Sequence, residues 1–174
     1  MLTTTSYLVL GLVGHLGSPT SYELKRAVAD TIGGFWSVPH SQLYAEPIRL
    51  TALGMLTEEQ EQGGRRRRTY TLTDTGRAEL DQWLAMPTDE GTELRDLALL
   101  KLYFGGQAGD GAVQRVAERA AEVHKRRLAG YERLVSSPPP NVDLHQLSIL
   151  ALAARYEEEA VAFWSAVAAD PDLT

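Results

Sequence analysis

The sequence contains no cysteine among its 174 residues. This absence excludes disulfide bonds, thiol nucleophiles and cysteine-based zinc sites, and it fits the reducing cytoplasm. The sequence also has no apolar run long enough to span a bilayer. The apolar stretch at residues 7–13 follows no basic segment, which argues against a signal peptide. We therefore expect a cytoplasmic protein without a membrane partner.

Histidine is scarce, and its four copies are scattered at His15, His40, His124 and His145. The sequence has no Ser-His-Asp elbow, glycine-rich phosphate loop or His-Glu-x-x-His pattern. His145 lies two residues from Asp143, a spacing that is too common to imply a metal. These absences predict a protein that is not an enzyme and that needs no metal or cofactor. A small helical hydrolase or metal enzyme is the least favoured hypothesis.

Basic residues are outnumbered, with 17 Lys and Arg against 23 Asp and Glu and a net charge of -6. Residues 1–86 hold 8 basic against 9 acidic side chains, whereas residues 87–174 hold 9 against 14, so the acidity lies mainly in the second half. Against this background the sequence has one dense basic run, formed by Arg65, Arg66, Arg67 and Arg68. A local basic cluster in an acidic chain indicates a polyanionic partner.

The first half predicts three short helices. An apolar helix covers residues 4–16, and Thr20 with Glu23 forms a capping box for the second helix. The third helix is expected from about Val38, with Ser37 as its N-cap. Pro47 lies inside this third helix and lacks an amide hydrogen, which predicts a loosened or kinked helix.

A hairpin and a fourth helix follow. Strands are expected at residues 55–60 and 67–72, with a turn at residues 61–64. Thr73 is expected to cap a helix over residues 74–86. Three helices followed by a two-stranded wing are typical of the winged helix-turn-helix. The fold class is therefore mainly α, with this winged domain at residues 1–86.

The second half predicts a three-helix dimerisation domain at residues 87–174, after a loop at residues 86–91. The helices are expected at residues 93–104, 111–135 and 143–169, and Thr92 and Asp110 are the expected caps of the first two. The last helix has two apolar faces, and the second of them needs a partner such as another copy of the chain. One face carries Leu147, Leu150, Ala154 and Val161, and the other carries Ile149, Leu152, Tyr156, Phe163 and Val167. The predicted dimer contacts are Leu8, Leu147, Leu150, Ala154, Val161 and Trp164.

The third helix is the candidate for contacts with base edges. Its outward face offers donors and acceptors of the types that bind in a major groove, although any solvated helix face carries similar residues. The second helix is expected to contact phosphates. Tyr22 and Tyr44 are either phosphate donors or core rings with a wet hydroxyl. Besides the four arginines, the predicted DNA-binding residues are Tyr22, Lys25, Ser37, His40, Ser41, Gln42, Tyr44 and Arg49.

The arginines are expected to meet phosphates or the neighbouring minor groove, since guanidinium groups suit both. The alternative is a flexible basic tip that contacts nothing. A small apolar or aromatic effector is a further expectation, with Trp36, His124 and Tyr131 as candidate contacts. His124 lies in the apolar stripe of its helix, where the simplest interpretation is a hydrogen-bonded histidine at an interface. The sharper interpretation is an effector contact or a pH-sensitive group.

The assembled pattern resembles the PadR family of bacterial transcriptional regulators. The resemblance rests on FWSVPHSQLY at residues 35–44, LGML at residues 53–56 and RRRTYTLTDTG at residues 66–76, and more loosely on LKLYFG at residues 100–105. It implies a homodimeric winged helix-turn-helix repressor that binds a palindromic operator in double-stranded DNA. It also implies dimerisation through the C-terminal helices and, in some members, release of DNA by a small molecule. The alternative hypothesis is a winged-helix module that binds protein rather than DNA.

Overall fold

The computed structural model describes residues 1–33, 35–61, 67–139 and 142–170. They form two compact units, Met1–Glu90 and Gly91–Thr174. The architecture is mainly helical with a small antiparallel sheet, which confirms the predicted fold class. The elements are α1 (Thr4–Leu16), α2 (Ser21–Asp30), α3 (His40–Ala52), β1 (Leu56–Gln60), β2 (Arg68–Leu72), α4 (Asp74–Ala85), α5 (Leu97–Tyr103), a 3₁₀ turn (Gly105–Gln107), α6 (Ala112–Ser136) and α7 (Leu144–Ala169). No helix within the described ranges has the length and apolar character that a membrane span requires.

Helix α1 supplies the centre of the first unit's core. Val9, Leu10 and Val13 are all 0% exposed, because this helix is apolar on most of its faces. A capping box starts it: the Ser6 amide donates to the Thr3 hydroxyl, and the Thr3 amide donates to Ser6 Oγ at 2.8 Å. The predicted helix over residues 4–16 is confirmed.

The capping box of α2 is also confirmed, since the Thr20 amide donates to Glu23 Oε2 at 2.8 Å. The predicted start of α3 is wrong. The helix begins at His40, and Ser37 does not cap it. Pro39 occupies the cap position in an extended conformation (φ -57°, ψ 130°), and no side chain bonds to the first amides.

Pro47 does not end α3, which continues through it to Ala52. Its ring lies on the buried side of the helix with Leu43 and Leu50, as the helical wheel predicts. The Thr51 hydroxyl donates to the Pro47 carbonyl at 2.9 Å.

The wing is an antiparallel hairpin in which Leu56 pairs with Leu72 and Gln60 with Arg68. Its return strand also contacts the segment before α2. The Tyr70 amide donates to the Pro19 carbonyl at 3.0 Å, and Thr69 forms a β-bridge with Thr20. The root of the wing is thereby fixed to the start of α2. Most of the predicted turn at residues 61–64 lies outside the described residues, and so do Arg65 and Arg66.

The link from the wing to α4 explains the Thr-x-x-Gly pattern at residues 73–76. The Thr73 hydroxyl accepts from the Gly76 amide at 3.0 Å and contacts the carbonyl of Gly54 at 2.8 Å. A Cβ on Gly76 would lie 2.1 Å from the Met55 carbonyl oxygen. Only glycine fits this close approach of two backbones. The prediction that Thr73 caps α4 is confirmed.

Two predicted caps in the second unit are wrong. Helix α5 begins at Leu97, where the Asp96 carboxylate accepts from the Ala98 amide at 2.6 Å, rather than after Thr92. Helix α6 follows Gly111 in the left-handed conformation (φ 68°), so Asp110 is not its cap. Helices α6 and α7 pack along their lengths, with the small side chains of α6 against Trp164 of α7.

Candidate nucleic-acid interface

The exposed face of α3 is rich in polar groups without formal charge. His40, Ser41 and Gln42 are exposed at its N-terminal end, and Tyr44 is 45% exposed. Gln42 Oε1 accepts a hydrogen bond from the Thr5 hydroxyl of α1 at 3.1 Å, which orients the amide. These groups can donate to and accept from base edges. Ser37 is also exposed, in the loop before the helix.

Arg49 is placed differently from its predicted role. Its Nη2 donates to Glu46 Oε1 at 2.6 Å and to Ser6 Oγ at 2.8 Å, and the Ser6 hydroxyl donates to Glu46 Oε1 at 2.6 Å. Ser6 is 0% exposed, so this network ties α3 to α1 at the edge of the core. The hydrogen bond from Arg49 lowers the pKa of Glu46, against the effect of burial, and the Ser6 hydroxyl lowers it further. Arg49 therefore helps to hold α3 against α1, and its contact with DNA stays a prediction.

A groove of about 570 Å³ runs between α2, α3 and the wing. Tyr22 and Tyr44 are 64% and 45% exposed, so neither ring belongs to the core. Ile48 adds an exposed apolar side chain on α3, one turn after Tyr44. The groove joins the outward face of α3 to two of the predicted arginines in a single concave surface. Its lining residues are Thr20, Ser21, Tyr22, Tyr44, Ile48, Arg67, Arg68 and Tyr70.

Both described arginines of the wing have carboxylates nearby. Arg68 Nε lies 3.5 Å from Glu58 Oε1 on the neighbouring strand. Hydrogen bonds from Thr20 lower the pKa of Glu23 on α2, and the charge of Arg67 lowers it a little more. Sequence reasoning missed Glu58. The hairpin register was the signal that could have identified it, because this register places Glu58 of β1 and Arg68 of β2 on the same face of the hairpin.

Tyr70 forms the floor of the groove and is 1% exposed. Burial raises the pKa of Tyr70, and the nearby charge of Glu58 raises it further. Its hydroxyl therefore stays protonated at neutral pH. The remaining predicted contact on α2, Lys25, is half-buried.

The predicted effector residues lie in different units. Trp36 is 42% exposed in the first unit. In the second unit, His124 Nδ1 lies 2.5 Å from Glu157 Oε2, and His124 Nε2 lies 4.0 Å from Asp96 Oδ2. Burial raises the pKa of Tyr131, and the charge of Glu157 adds to this rise. His124 thus connects α6 to α7 and approaches the residue that caps α5.

The face of α7 that was predicted to pair two chains is turned inward. Leu150 and Trp164 are 3% and 2% exposed, and Leu147, Ala154 and Val161 are half-buried on the same side. Trp164 packs in the core of its own unit, so these side chains do not form a free surface. Leu8, in the other unit, is half-buried against that unit's core, and its dimer role stays a prediction.

The second apolar face of α7 is the uncovered one. Its residues are Ile149 (42% exposed), Leu152 (50%), Tyr156 (67%) and Phe163 (42%). Val167, which the sequence assigned to this face, is instead 2% exposed beside Trp164. Within the part of the chain that the structure describes, no cluster of three His, Asp or Glu side chains is arranged to hold a metal ion.

Two family models match the chain in succession. Residues 9–82 match the transcriptional regulator PadR-like family, and residues 94–170 match the family described as virulence activator alpha C-term. Among curated proteins, the negative transcriptional regulator PadR of Bacillus subtilis (strain 168) is 29% identical over 94% of each chain. The probable transcriptional regulator Rv1176c of Mycobacterium tuberculosis (strain ATCC 25618 / H37Rv) is 31% identical over 86% of this chain and 88% of its own.

Solved structures of the Bacillus protein share the fold. Its crystal structure in complex with operator DNA superposes with a TM-score of 0.81 at 28% identity, covering 96% of this chain and 98% of that one. Its structure in complex with p-coumaric acid gives a TM-score of 0.75 at 25% identity, covering 94% and 96%. The likeness spans both units, since each comparison covers nearly the whole chain.

Proposed function

The chain belongs to the PadR-like family of transcriptional regulators, and we propose that it represses transcription by binding double-stranded DNA in a sequence-specific manner. One observation carries the proposal: a single groove joins the exposed face of α3 to Arg67 and Arg68 of the wing. The operator complex of the Bacillus relative supports the same assignment. We propose a regulator rather than an enzyme, acting in the reducing cytoplasm.

The two sides of the groove have different roles in this proposal. Helix α3, the recognition helix, contacts base edges through Ser41 and Gln42, and Tyr44 reaches a phosphate or base edge beside them. The wing arginines bind backbone phosphate or the minor groove. Sequence preference therefore comes from the helix, and much of the affinity comes from the wing.

The protein is proposed to act as a homodimer on a palindromic operator. The uncovered face of α7 carries exposed apolar side chains over several turns, and burial of such side chains against another chain is favourable. A two-fold dimer presents two recognition helices, which matches a palindrome. A dimer in sedimentation experiments that dissociates in Leu152→Asp would support this face, whereas an unchanged dimer would exclude it.

A small apolar or aromatic effector is proposed to release the DNA. The Bacillus relative was crystallised with p-coumaric acid, and this chain aligns with nearly all of it. In the second unit, His124 and Tyr131 both interact with Glu157 and are the candidate polar contacts, and Trp36 is the candidate in the first unit. Phenolic acids added to a preformed protein–DNA complex should release DNA if this class is correct.

The function is tested by gel retardation at low salt. The probes are the promoter region beside the protein's own gene and an unrelated duplex of equal length. We expect retardation of both at low salt and of the promoter alone as salt rises, since non-specific binding is mainly electrostatic. Absence of retardation, together with a stable complex to another protein, would instead favour the protein-interaction module.

A further inference from the structure

The wing carries opposite charges on its two strands, and in one pair of them Arg68 lines the groove with Glu58 beside it. Glu58 of β1 lies opposite Tyr70 of β2, and Arg68 lies two residues before Tyr70. Side chains two residues apart on a strand share a face, so Glu58, Tyr70 and Arg68 lie on the same side of the hairpin. Arg68 Nε and Glu58 Oε1 are 3.5 Å apart.

Glu58 is less exposed than its partner. Its side chain is 22% exposed, whereas that of Arg68 is 47% exposed. Burial raises the pKa of Tyr70, and the charge of Glu58 raises it further, so the Glu58 carboxylate lies near the buried ring. Arg68, which lines the groove with Tyr22 and Tyr44, is thus the more accessible member of the pair.

A phosphate that approaches Arg68 therefore meets the negative charge of Glu58, which lies 3.5 Å from Arg68 Nε. Like charges a few ångströms apart repel, and the repulsion grows where water is excluded. We propose that Glu58 competes with DNA phosphate for Arg68 and thereby limits the affinity of the wing for any duplex. This inference rests on the proposed function, because it concerns how tightly the same groove binds DNA.

The neighbouring residue provides a matched control. Glu59 follows Glu58 on β1 and pairs with Thr69, and it is exposed on the opposite face of the strand. Glu58→Gln and Glu59→Gln change the net charge of the protein equally. Any difference between them therefore reports the local contact with Arg68 rather than the long-range field.

The experiment measures binding to a fluorescein-labelled duplex of unrelated sequence by fluorescence anisotropy across a salt series. Glu58→Gln should bind about three- to tenfold more tightly than the unsubstituted protein near physiological salt, and Glu59→Gln should change less. The log–log salt slope should steepen by up to about 0.9 as Arg68 gains a full phosphate contact. In an Arg68→Gln background, the gain from Glu58→Gln should disappear.

Glu58→Thr, which keeps a residue suited to strands, repeats the test if the glutamine variant does not fold. Equal gains from Glu58→Gln and Glu59→Gln, or weaker binding by folded Glu58→Gln, would overturn the inference. A gain that persists in the Arg68→Gln background would overturn it as well. If the unsubstituted protein binds no duplex at low salt, the proposed function fails first, so the two failures are distinguishable.

Discussion

The recognition helix and the wing use charged residues in different ways. On α3, Glu46 and Arg49 pair with each other and with the buried Ser6 of α1, while the exposed face carries polar groups such as Gln42. On the wing, Arg67 and Arg68 line the open groove, and their neighbouring carboxylates belong to other elements. Charge on the helix is thus used within the fold, whereas charge on the wing lies at the open groove.

Removing the wing charge tests this contrast with the largest expected effect. Replacement of Arg65, Arg66, Arg67 and Arg68 by alanine should weaken binding to operator and unrelated duplexes alike, by about 100- to 1000-fold near physiological salt. Each lost phosphate contact should lower the log–log salt slope by about 0.9. Anisotropy titrations over a salt series provide both quantities. An unchanged slope would mean that the wing does not contact the DNA backbone.

A substitution on the recognition helix should separate preference for the operator sequence from general affinity for DNA. Gln42→Ala should cost about 1–3 kcal/mol on the operator if its amide makes a bidentate base contact, with little change on unrelated DNA. Thr5→Ala is the matched control, because it removes the hydroxyl that orients the amide while keeping Gln42 itself. Equal losses on operator and unrelated duplex would exclude Gln42 from base contacts.

Arg49→Ala should affect folding more than DNA preference. It leaves the partly buried Glu46 without its guanidinium partner, and we expect a loss of about 1–2 kcal/mol in unfolding free energy. The expected loss of unfolding free energy is modest because the Arg49 side chain is 41% exposed. Arg67→Ala, a surface change, should cost less than about 0.5 kcal/mol. Urea denaturation compares the two variants, and a larger loss in Arg67→Ala would reverse our assignment.

The smallest expected effect is a pH dependence at the same network. The hydrogen bond from Arg49 lowers the pKa of Glu46 in the folded protein, so the unfolded chain binds its proton at higher pH. The stabilisation is therefore complete above the unfolded pKa and is lost as pH falls through the folded pKa. Thermal melts between neutral and acidic pH should show a steeper decline for the unsubstituted protein than for Glu46→Gln. Parallel declines would contradict this origin.

The sequence predicts features that depend on neighbouring residues. The capping boxes at Thr3 and Thr20 are each formed within four residues, and the Thr20 box was visible as Thr-x-x-Glu. The hairpin and the buried stripe of α3 follow from periodicity and turn residues. The family motif adds the wing and its arginines. These elements needed no knowledge of the three-dimensional packing.

Prediction from the sequence fails for residues whose contacts lie far away along the chain. Arg49 has the same local surroundings as a solvent-facing residue, and only the contact with Ser6, 43 positions away, gives it a structural role. Which of the two apolar faces of α7 is buried also depends on which one packs against α6, and the composition of the helix does not determine this. The start of α3 was misplaced for a local reason, since a serine near a helix start does not ensure a cap.

The attachment of the wing at its root has a consequence for how such proteins diverge. Backbone and hydroxyl groups make this attachment: the Tyr70 amide with the Pro19 carbonyl, the Thr20–Thr69 bridge, and the Ser18 and Thr71 hydroxyls 2.8 Å apart. None of these contacts uses an arginine side chain. Mutation can therefore alter the number of arginines in a lineage without disturbing the root. Such a lineage can adapt its affinity to a different salt concentration while keeping its operator, because the side chains that we propose to select the operator lie on another element.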